Sequence, residues 1–533
     1  MRAGAPEPVP AGAGGPAWCA GPRAVPLLLL GAALLLLPAL GAYGLFDVDE
    51  GAFSEATREM LASGDWWSTT LNGAPRYDKP ILIYWLQALS AAGLGISEFS
   101  LRLPSALAGL AWVGLVATFA RPRFGAWAGW LAGWVCATSL GVMAMSRAAT
   151  ADALLNALLV AALFDLWRAF ESADRLALRR AYLWVALGVL TKGPIAILIP
   201  GATILLWCLR ERRGRELVRA ATDLPGWVIF LAVAAPWYVL QWNLHGREFV
   251  EGFLVRHNLQ RFGGPLEGHG GGLFYYVLLL PILVLPWTGL LWGAARTARA
   301  DFARAGEPLA RFFWIWFGFV LVFFSLSGTK LPHYALYGAT PLFLLVARRA
   351  AGSAPGPWAF LPAFFLCVFF ALAPGLVDAW ALRLAAPSER FYADQAQDAL
   401  ALAPPAYYLL CGGASAAVLV LAFGARRTAA ARLAAAAGLA AAAFGFAFVP
   451  WLGALLNGPV RDAGLAAARR PEAAVTWNFT APSFSLYRGA STPARPPAPG
   501  EIALARTDKF VPSPEFDVLL RRGGVLLVRS KQP

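Results

Sequence analysis

Long apolar runs recur along this chain, and they restrict its fold more than any other feature. They fall at about 24–45, 103–120, 126–145, 151–169, 181–192, 195–209, 225–243, 273–293, 312–327, 334–347, 357–376, 405–424 and 433–453. Many approach the ~18–20 residues a helix needs to cross a bilayer. Inside lipid, backbone N–H and C=O groups have no water to bond, so only helices and closed barrels span it. Barrel strands are about ten residues long and alternate in polarity, which these runs do not. The chain therefore reads as an all-α polytopic membrane protein of about 13 transmembrane helices. Its 58% hydrophobic and 14% charged residues agree.

A formal charge of +14 would suit nucleic acid. The cations are scattered over short loops, however, and membrane topology accounts for them without a nucleic-acid partner. With the N-terminus cytoplasmic, the inside loops carry Arg121/Arg123, Arg168/Arg175/Arg179/Arg180 and Arg210/Arg212/Arg213/Arg215/Arg219. Next come Arg296/Arg299/Arg304/Arg311, Arg348/Arg349 and Arg426/Arg427/Arg432. Every one of these connections is basic, which is the positive-inside pattern. An odd number of spans then puts residues 454–533 outside. The five cysteines lie far apart, mostly in apolar runs, and read as small core residues.

Three regions follow. Residues 1–23 form a Pro/Gly/Ala-rich disordered cytoplasmic lead. Residues 24–453 form the transmembrane domain, with an outer loop at 46–100; the first run is long for a signal peptide and is taken as a retained span. Residues 454–533 have ordinary polarity and short strand-like runs at 474–478, 501–505 and 524–529, so they read as a small soluble α/β domain.

The polar residues of interest fall at the outer ends of spans. The stretch 46–84 is dense in acids and follows the first span directly. Its Asp49-Glu50 pair would complement a helix start at Gly51, or orient or deprotonate a hydroxyl at the membrane surface. Arg76-Tyr77-Asp78-Lys79-Pro80 reads as a turn with an ion pair before a helix, or as a cationic site for a lipid-linked phosphate. In Ser146-Arg147-Ala148-Ala149-Thr150-Ala151-Asp152, Thr150 and Asp152 suit a helix start, while Arg147 between two apolar spans asks for a function. Lys192 ends one span, before Gly193-Pro194. Arg256, His257, Asn258, Arg261 and His269 lie on a later outer loop, and Lys330 on another. His257 and His269 leave a divalent metal open, without local ligand spacing to support one. Outer cations facing a few carboxylates suit a phosphorylated leaving group and a hydroxyl nucleophile.

The stretch DEGAFSEATREMLASGDWWSTTLNGAPRYDKPILIYWL resembles the first outer loop of the aminoarabinose transferases acting on lipid A, and of the wider protein-mannosyltransferase superfamily. SRAATAD, TKGP, HNLQRF and TKLPHY follow in the order that family leads one to expect. The resemblance covers roughly residues 24–350. It implies a C-type membrane glycosyltransferase fold in a bacterial inner membrane, with the C-terminal domain periplasmic. It implies a polyprenyl-phosphate-linked sugar as donor and a lipid A-type, glycan or protein acceptor. Asp49 would be the acidic motif residue, with Glu50 and Asp152 as further catalytic candidates. Lys79 and Arg261 would hold the carrier phosphate, and Asp152 and Arg147 would shape the sugar pocket. Arg58, Arg76, Asp78, Tyr84, Lys192, His257 and Lys330 complete the donor-binding group. Where related sequences often have Glu-Lys-Pro, this chain has Asp78-Lys79-Pro80. The expected chemistry is inverting displacement at the anomeric carbon. No cofactor is called for with certainty. The rival readings are a transporter or flippase of lipid-linked sugars, a protein O-mannosyltransferase, and a non-catalytic scaffold.

Overall fold

The computed structural model describes residues 15–260, 264, 270–303, 306–352, 354–384, 386–425 and 428–531. Arg261, His269, Arg304, Arg426, Arg427 and residues 1–14 of the expected lead lie outside them. Where the lead is described it is ordered locally: Ala17–Ala20 form a 3₁₀ turn, and Trp18 packs edge-on against Trp130.

Among the described residues, seven helices are long and apolar enough to cross a membrane: Glu98–Phe124, Asp152–Ser172, Leu224–His257, Pro308–Leu326, Pro357–Ala381, Pro405–Ala422 and Ala429–Leu456. An eighth crossing results if Ala126–Thr138 and Leu140–Ser146, bent by 63°, form one span. The remaining expected spans appear as shorter or interrupted helices. α1 (Ala24–Leu36) stops well before residue 45, where Pro38 has no N–H to continue the helical ladder. The 273–293 run divides into Tyr275–Leu283 and Thr288–Ala295. The 334–347 run starts as a 3₁₀ turn, Pro332–Gly338, before the helix Thr340–Gly352.

The 46–100 loop folds into α2 (Asp49–Ser63), the hairpin β1 (Thr70–Leu71) and β2 (Ala74–Pro75), and α3 (Leu82–Leu94). Asn72 and Gly73, both at positive φ, make the hairpin turn. α4 (Glu98–Phe124) begins at a capping box formed by Ser97 and Ser100. α5 (Ala126–Thr138), α6 (Leu140–Ser146), α7 (Asp152–Ser172), α8 (Arg175–Lys192) and α9 (Ile195–Glu211) follow. α7 and α8 pack as a hairpin. Asp174 caps the start of α8 through the backbone N–H groups of Leu176 and Ala177. Gly193, at φ 77°, ends it. A Cβ at Gly193 would lie 2.5 Å from Phe253, so both the turn and the packing require glycine. α10 (Gly214–Ala221) lies on the surface, and α11 (Leu224–Phe249) passes into a π-helical turn, Val250–Gln260.

The C-terminal region forms a four-stranded sheet in the order β3–β4–β6–β5 from Ala474–Thr476, Ile502–Arg506, Phe516–Arg522 and Val525–Ser530. β3 and β4 are parallel, joined through the helix Pro482–Arg488; the other pairs are antiparallel. Three strands match the sequence reading. β5 was not expected, because its apolar run, Val518-Leu519-Leu520, is only three residues long and is flanked by Asp517, Arg521 and Arg522, as suits an edge strand. All five cysteines are buried and free.

Candidate functional site

α7 explains why distant charges meet. Its 21 residues, at ~1.5 Å each, carry the chain about 30 Å from Asp152 to the opposite membrane face. α8 returns antiparallel and ends on Lys192. The Lys192 ammonium donates to Asp152 Oδ1 at 2.6 Å and to the Tyr337 hydroxyl at 2.8 Å. Tyr337 also donates to Asp152 Oδ1, at 2.6 Å. His333 Nε2 stands 3.4 Å from the same oxygen. All four sit at one buried junction, and the Lys192 ammonium also lies over the rings of Tyr334 and Tyr337.

Two cavities flank this junction. One, of about 500 Å³, is lined by Asp78, Lys79, Lys192 and His257 beside apolar Ile195, Leu198, Leu254, Phe323 and Phe324. Its polar end joins an apolar wall, as a lipid-linked anion would need. Asp78 Oδ1 lies 2.9 Å from His257 Nε2, and its Oδ2 lies 3.3 Å from Arg76. Burial opposes the Asp78 charge, but His257, Arg76 and Lys79 outweigh it and hold the carboxyl well below its usual range. The shorter Asp at this position thus retains a hydrogen-bonding role. Arg76 donates to Tyr84, which is fully buried and stacked on Phe53, so Tyr84 positions Arg76 behind the cavity wall.

The other cavity, of about 330 Å³, is lined by Asp47, Asp49, Glu50, Arg147, Asp152 and His333 on one side and by Phe444, Phe448, Val449 and Leu452 on the other. Asp49 is exposed at its mouth. Asp47 reaches the C-terminal region. Its carboxylate accepts from the Ser483 backbone N–H at 3.0 Å and from the Ser483 hydroxyl. Burial raises the Asp47 carboxyl to about 7, against the pull of the two Ser483 bonds. Gly51 permits this approach: a Cβ there would lie 1.9 Å from Asp47 Oδ1.

Four expected site residues are used differently. Glu50 is buried and its carboxylate is fully engaged. Arg102 grips both oxygens, at 2.9 and 2.8 Å, and the N–H groups of Phe46 and Ala149 complete the set. A base needs an open lone pair facing substrate, and Glu50 has none. Arg147 donates to the carbonyls of Leu35, Leu36 and Pro38 at the end of α1, and to Gly445 O. It therefore satisfies the orphan carbonyls of a helix C-terminus. Lys330 does the same for the helix Pro308–Leu326, through Ser325 O and Ser327 O at 2.7 Å. Arg58 pairs with Glu55 and turns to Gly489 and Ser491 of the C-terminal domain, away from both cavities. Thr150 does not cap α7, whose N-cap is Ala151; the Thr150 hydroxyl is buried without a hydrogen bond. Arg256 is exposed.

Arg102, Tyr337 and Asp47 were not singled out from the sequence. Arg102 carried a signal, a lone charge near the start of an apolar helix. His333 and Tyr337 stand four residues apart, which puts them on one face of a helical turn. Among the described residues, no three His, Cys, Asp or Glu side chains gather to hold a metal ion.

Residues 78–240 match the model of the dolichyl-phosphate-mannose-protein mannosyltransferase family. The chain is 32% identical over 334 residues to the undecaprenyl phosphate-alpha-4-amino-4-deoxy-L-arabinose arabinosyl transferase of Pseudomonas paraeruginosa, covering 60% of this chain and 58% of that protein. It is 33% identical over 336 residues to the protein of the same name from Pseudomonas aeruginosa, with the same coverage. It thus spans under two thirds of the length of these curated relatives. The crystal structure of ArnT from Cupriavidus metallidurans bound to undecaprenyl phosphate superposes with a TM-score of 0.77 at 21% identity, covering 95% of this chain and 98% of that one. That likeness shows the fold.

Proposed function

From a chain that is ArnT-like in sequence and fold, we propose a membrane glycosyltransferase that moves a sugar from a polyprenyl phosphate carrier to an acceptor outside the bacterial inner membrane. The observation that carries this reading is the pair of cavities meeting at Asp152, Lys192, His333 and Tyr337. In it, the carrier phosphate lies in the larger cavity against Lys79 and Lys192, with its prenyl chain along the apolar wall. The acceptor enters the smaller cavity beside Asp49. The sugar bridges the junction, held by Asp152 in an orientation fixed by Lys192 and Tyr337.

The acceptor oxygen attacks the anomeric carbon as the bond to the phosphate oxygen breaks, with inversion. The electron pair departs with polyprenyl phosphate, and Lys79 and Lys192 stabilise the charge that collects there. A phosphate acceptor, as on lipid A, is already anionic, so Asp49 orients it. A sugar or protein hydroxyl needs Asp49 as base. The apolar side of the smaller cavity favours a lipid acceptor. The names of the relatives make undecaprenyl phosphate-linked 4-amino-4-deoxy-L-arabinose the first donor to try.

Thirteen crossings, counting the shorter and broken helices, go with this reading. So do a cytoplasmic N-terminus, a transmembrane domain at 24–453 with an outer loop at 46–100, and a periplasmic domain at 454–533. Docking of that domain on the 46–100 loop supports its being on the same face as the site.

The test is purified protein in nanodiscs given a panel of polyprenyl-phosphate sugars and candidate acceptors. Release of free polyprenyl phosphate is followed by mass spectrometry. Release that falls in both Lys79→Ala and Asp49→Asn is expected. Intact donor throughout, with a folded protein, would overturn the reading and call for a translocation assay in proteoliposomes.

A further inference from the structure

The far end of the α7–α8 hairpin holds a second polar cavity, of about 420 Å³, enclosed by the end of α7, the start of α8, α10 and the start of α11. About 30 Å of helix separates it from Asp152, so it opens at the opposite membrane face. Its charged lining is Asp174, Arg175, Glu216, Arg219 and Asp223.

These charges are not all engaged. Glu216 is taken up by Arg213. Asp174 uses Oδ1 to cap α8, leaving Oδ2 open. Asp223 uses Oδ2 on Gly226 N and on Arg179, leaving Oδ1 open. The side chains of Arg175 and Arg219 have no hydrogen bond or ion pair among the described residues. The cavity thus presents open valences of both signs. A purely anionic ligand would meet the open carboxylates, and a purely cationic one the two guanidinium groups.

The rim suits a bilayer surface. α10 has no buried residue, and Val218, Leu224 and Trp227 are exposed around it. A tryptophan at this depth is typical of the membrane–water boundary.

We propose that this cavity binds the headgroup of a zwitterionic aminophospholipid. The phosphate sits between Arg175 and Arg219, where guanidinium forks suit its oxygens. The primary ammonium donates to the open oxygens of Asp174 and Asp223. A choline headgroup carries the same charges but has no N–H to donate, so the site discriminates against it.

The test uses the full chain in nanodiscs of equal phosphatidylethanolamine, phosphatidylcholine and phosphatidylglycerol. The protein is extracted in mild detergent, and retained lipid is quantified by mass spectrometry. Phosphatidylethanolamine is expected to be enriched about tenfold over the other two, the weight of one charge-assisted hydrogen bond. Arg175→Gln/Arg219→Gln should abolish retention of any lipid above bulk. Asp174→Asn keeps the helix cap, since Asn caps as well as Asp, and should lower the preference for ethanolamine over choline. Displacement by free phosphoethanolamine would show that the headgroup suffices; retention against it would show that the acyl chains contribute. Retained lipid of bulk composition would overturn the proposal. So would a double variant, unfolding at the wild-type temperature, that keeps its phosphatidylethanolamine.

Discussion

The two walls of the candidate site use charge in opposite ways. Around the larger cavity, Lys79, Lys192, Asp78 and His257 line open space. Around the start of α2, Glu50 and Arg102 bond to the protein itself: Arg102 takes both Glu50 oxygens and the carbonyls of Leu40, Tyr43 and Gly44, so Glu50 lines the smaller cavity with its oxygens already occupied. Both groups are cations and carboxylates beside apolar helices, the first half-buried and the second buried. What separates them is where their remaining valence points. A side chain whose polar atoms all end on protein partners fixes the entry of the chain into the loop. One that lines a cavity with a donor or acceptor still open is available to a ligand.

The largest expected effect would sharpen that contrast. Arg102→Met strands the Glu50 carboxylate in the interior and should cost about 3–5 kcal/mol of stability. It is read as a fall in the thermal unfolding temperature in detergent. Glu50→Gln/Arg102→Met should recover part of it, because neither charge is then left alone. Next, Lys79→Ala should raise the barrier to transfer by about 2–4 kcal/mol, a loss of 10²–10³ in rate, with a much smaller change in unfolding temperature. A Lys79 variant that unfolds as early as the Arg102 variant would erase the distinction. Third, Lys330→Met removes a charged donor from the helix-end carbonyls and should cost about 1.5–3 kcal/mol of stability. Transfer per folded molecule should hold, and a loss of rate like that of Lys79→Ala would return Lys330 to the donor group.

The last prediction concerns pH. Burial raises Asp47 from 3.8 to about 7, and Glu55 from 4.5 to about 7. An acid with a raised pKa in the folded state holds its proton more tightly when folded than when unfolded. Its contribution to stability is therefore full below about pH 4 and is lost as pH rises through about 7. The unfolding temperature should decline across that window, and Asp47→Asn should flatten part of the decline, leaving the share due to Glu55. An unchanged slope in Asp47→Asn would remove Asp47 from the clasp between loop and C-terminal domain.

Much of the helical architecture was legible because lipid admits few backbone solutions, so apolar run length alone picks out most helices. Their breaks were less legible. Residues 126–145 read as continuous, yet Ser139 adopts an extended conformation between α5 and α6. The site was legible as a set of residue types at one membrane face. Asp49, Asp78, Lys79, Asp152, Lys192 and His257 do gather around two adjoining cavities.

By itself, the sequence determined the class of fold, the approximate helix positions and the concentration of charge at helix ends and in the 46–84 stretch. These follow from local composition and from the need to satisfy backbone groups within each segment. Only the tertiary structure decided which charges keep an open valence towards a cavity. Glu50 and Asp49 are neighbours in the chain, yet one is locked by Arg102, 52 residues away, and the other stands at a cavity mouth. Lys192 and Lys330 both close a helix, yet one meets Asp152 and the other the carbonyls of its own turn. A side chain's role depends on which partners complete its valence, and those partners come from segments that only folding brings together.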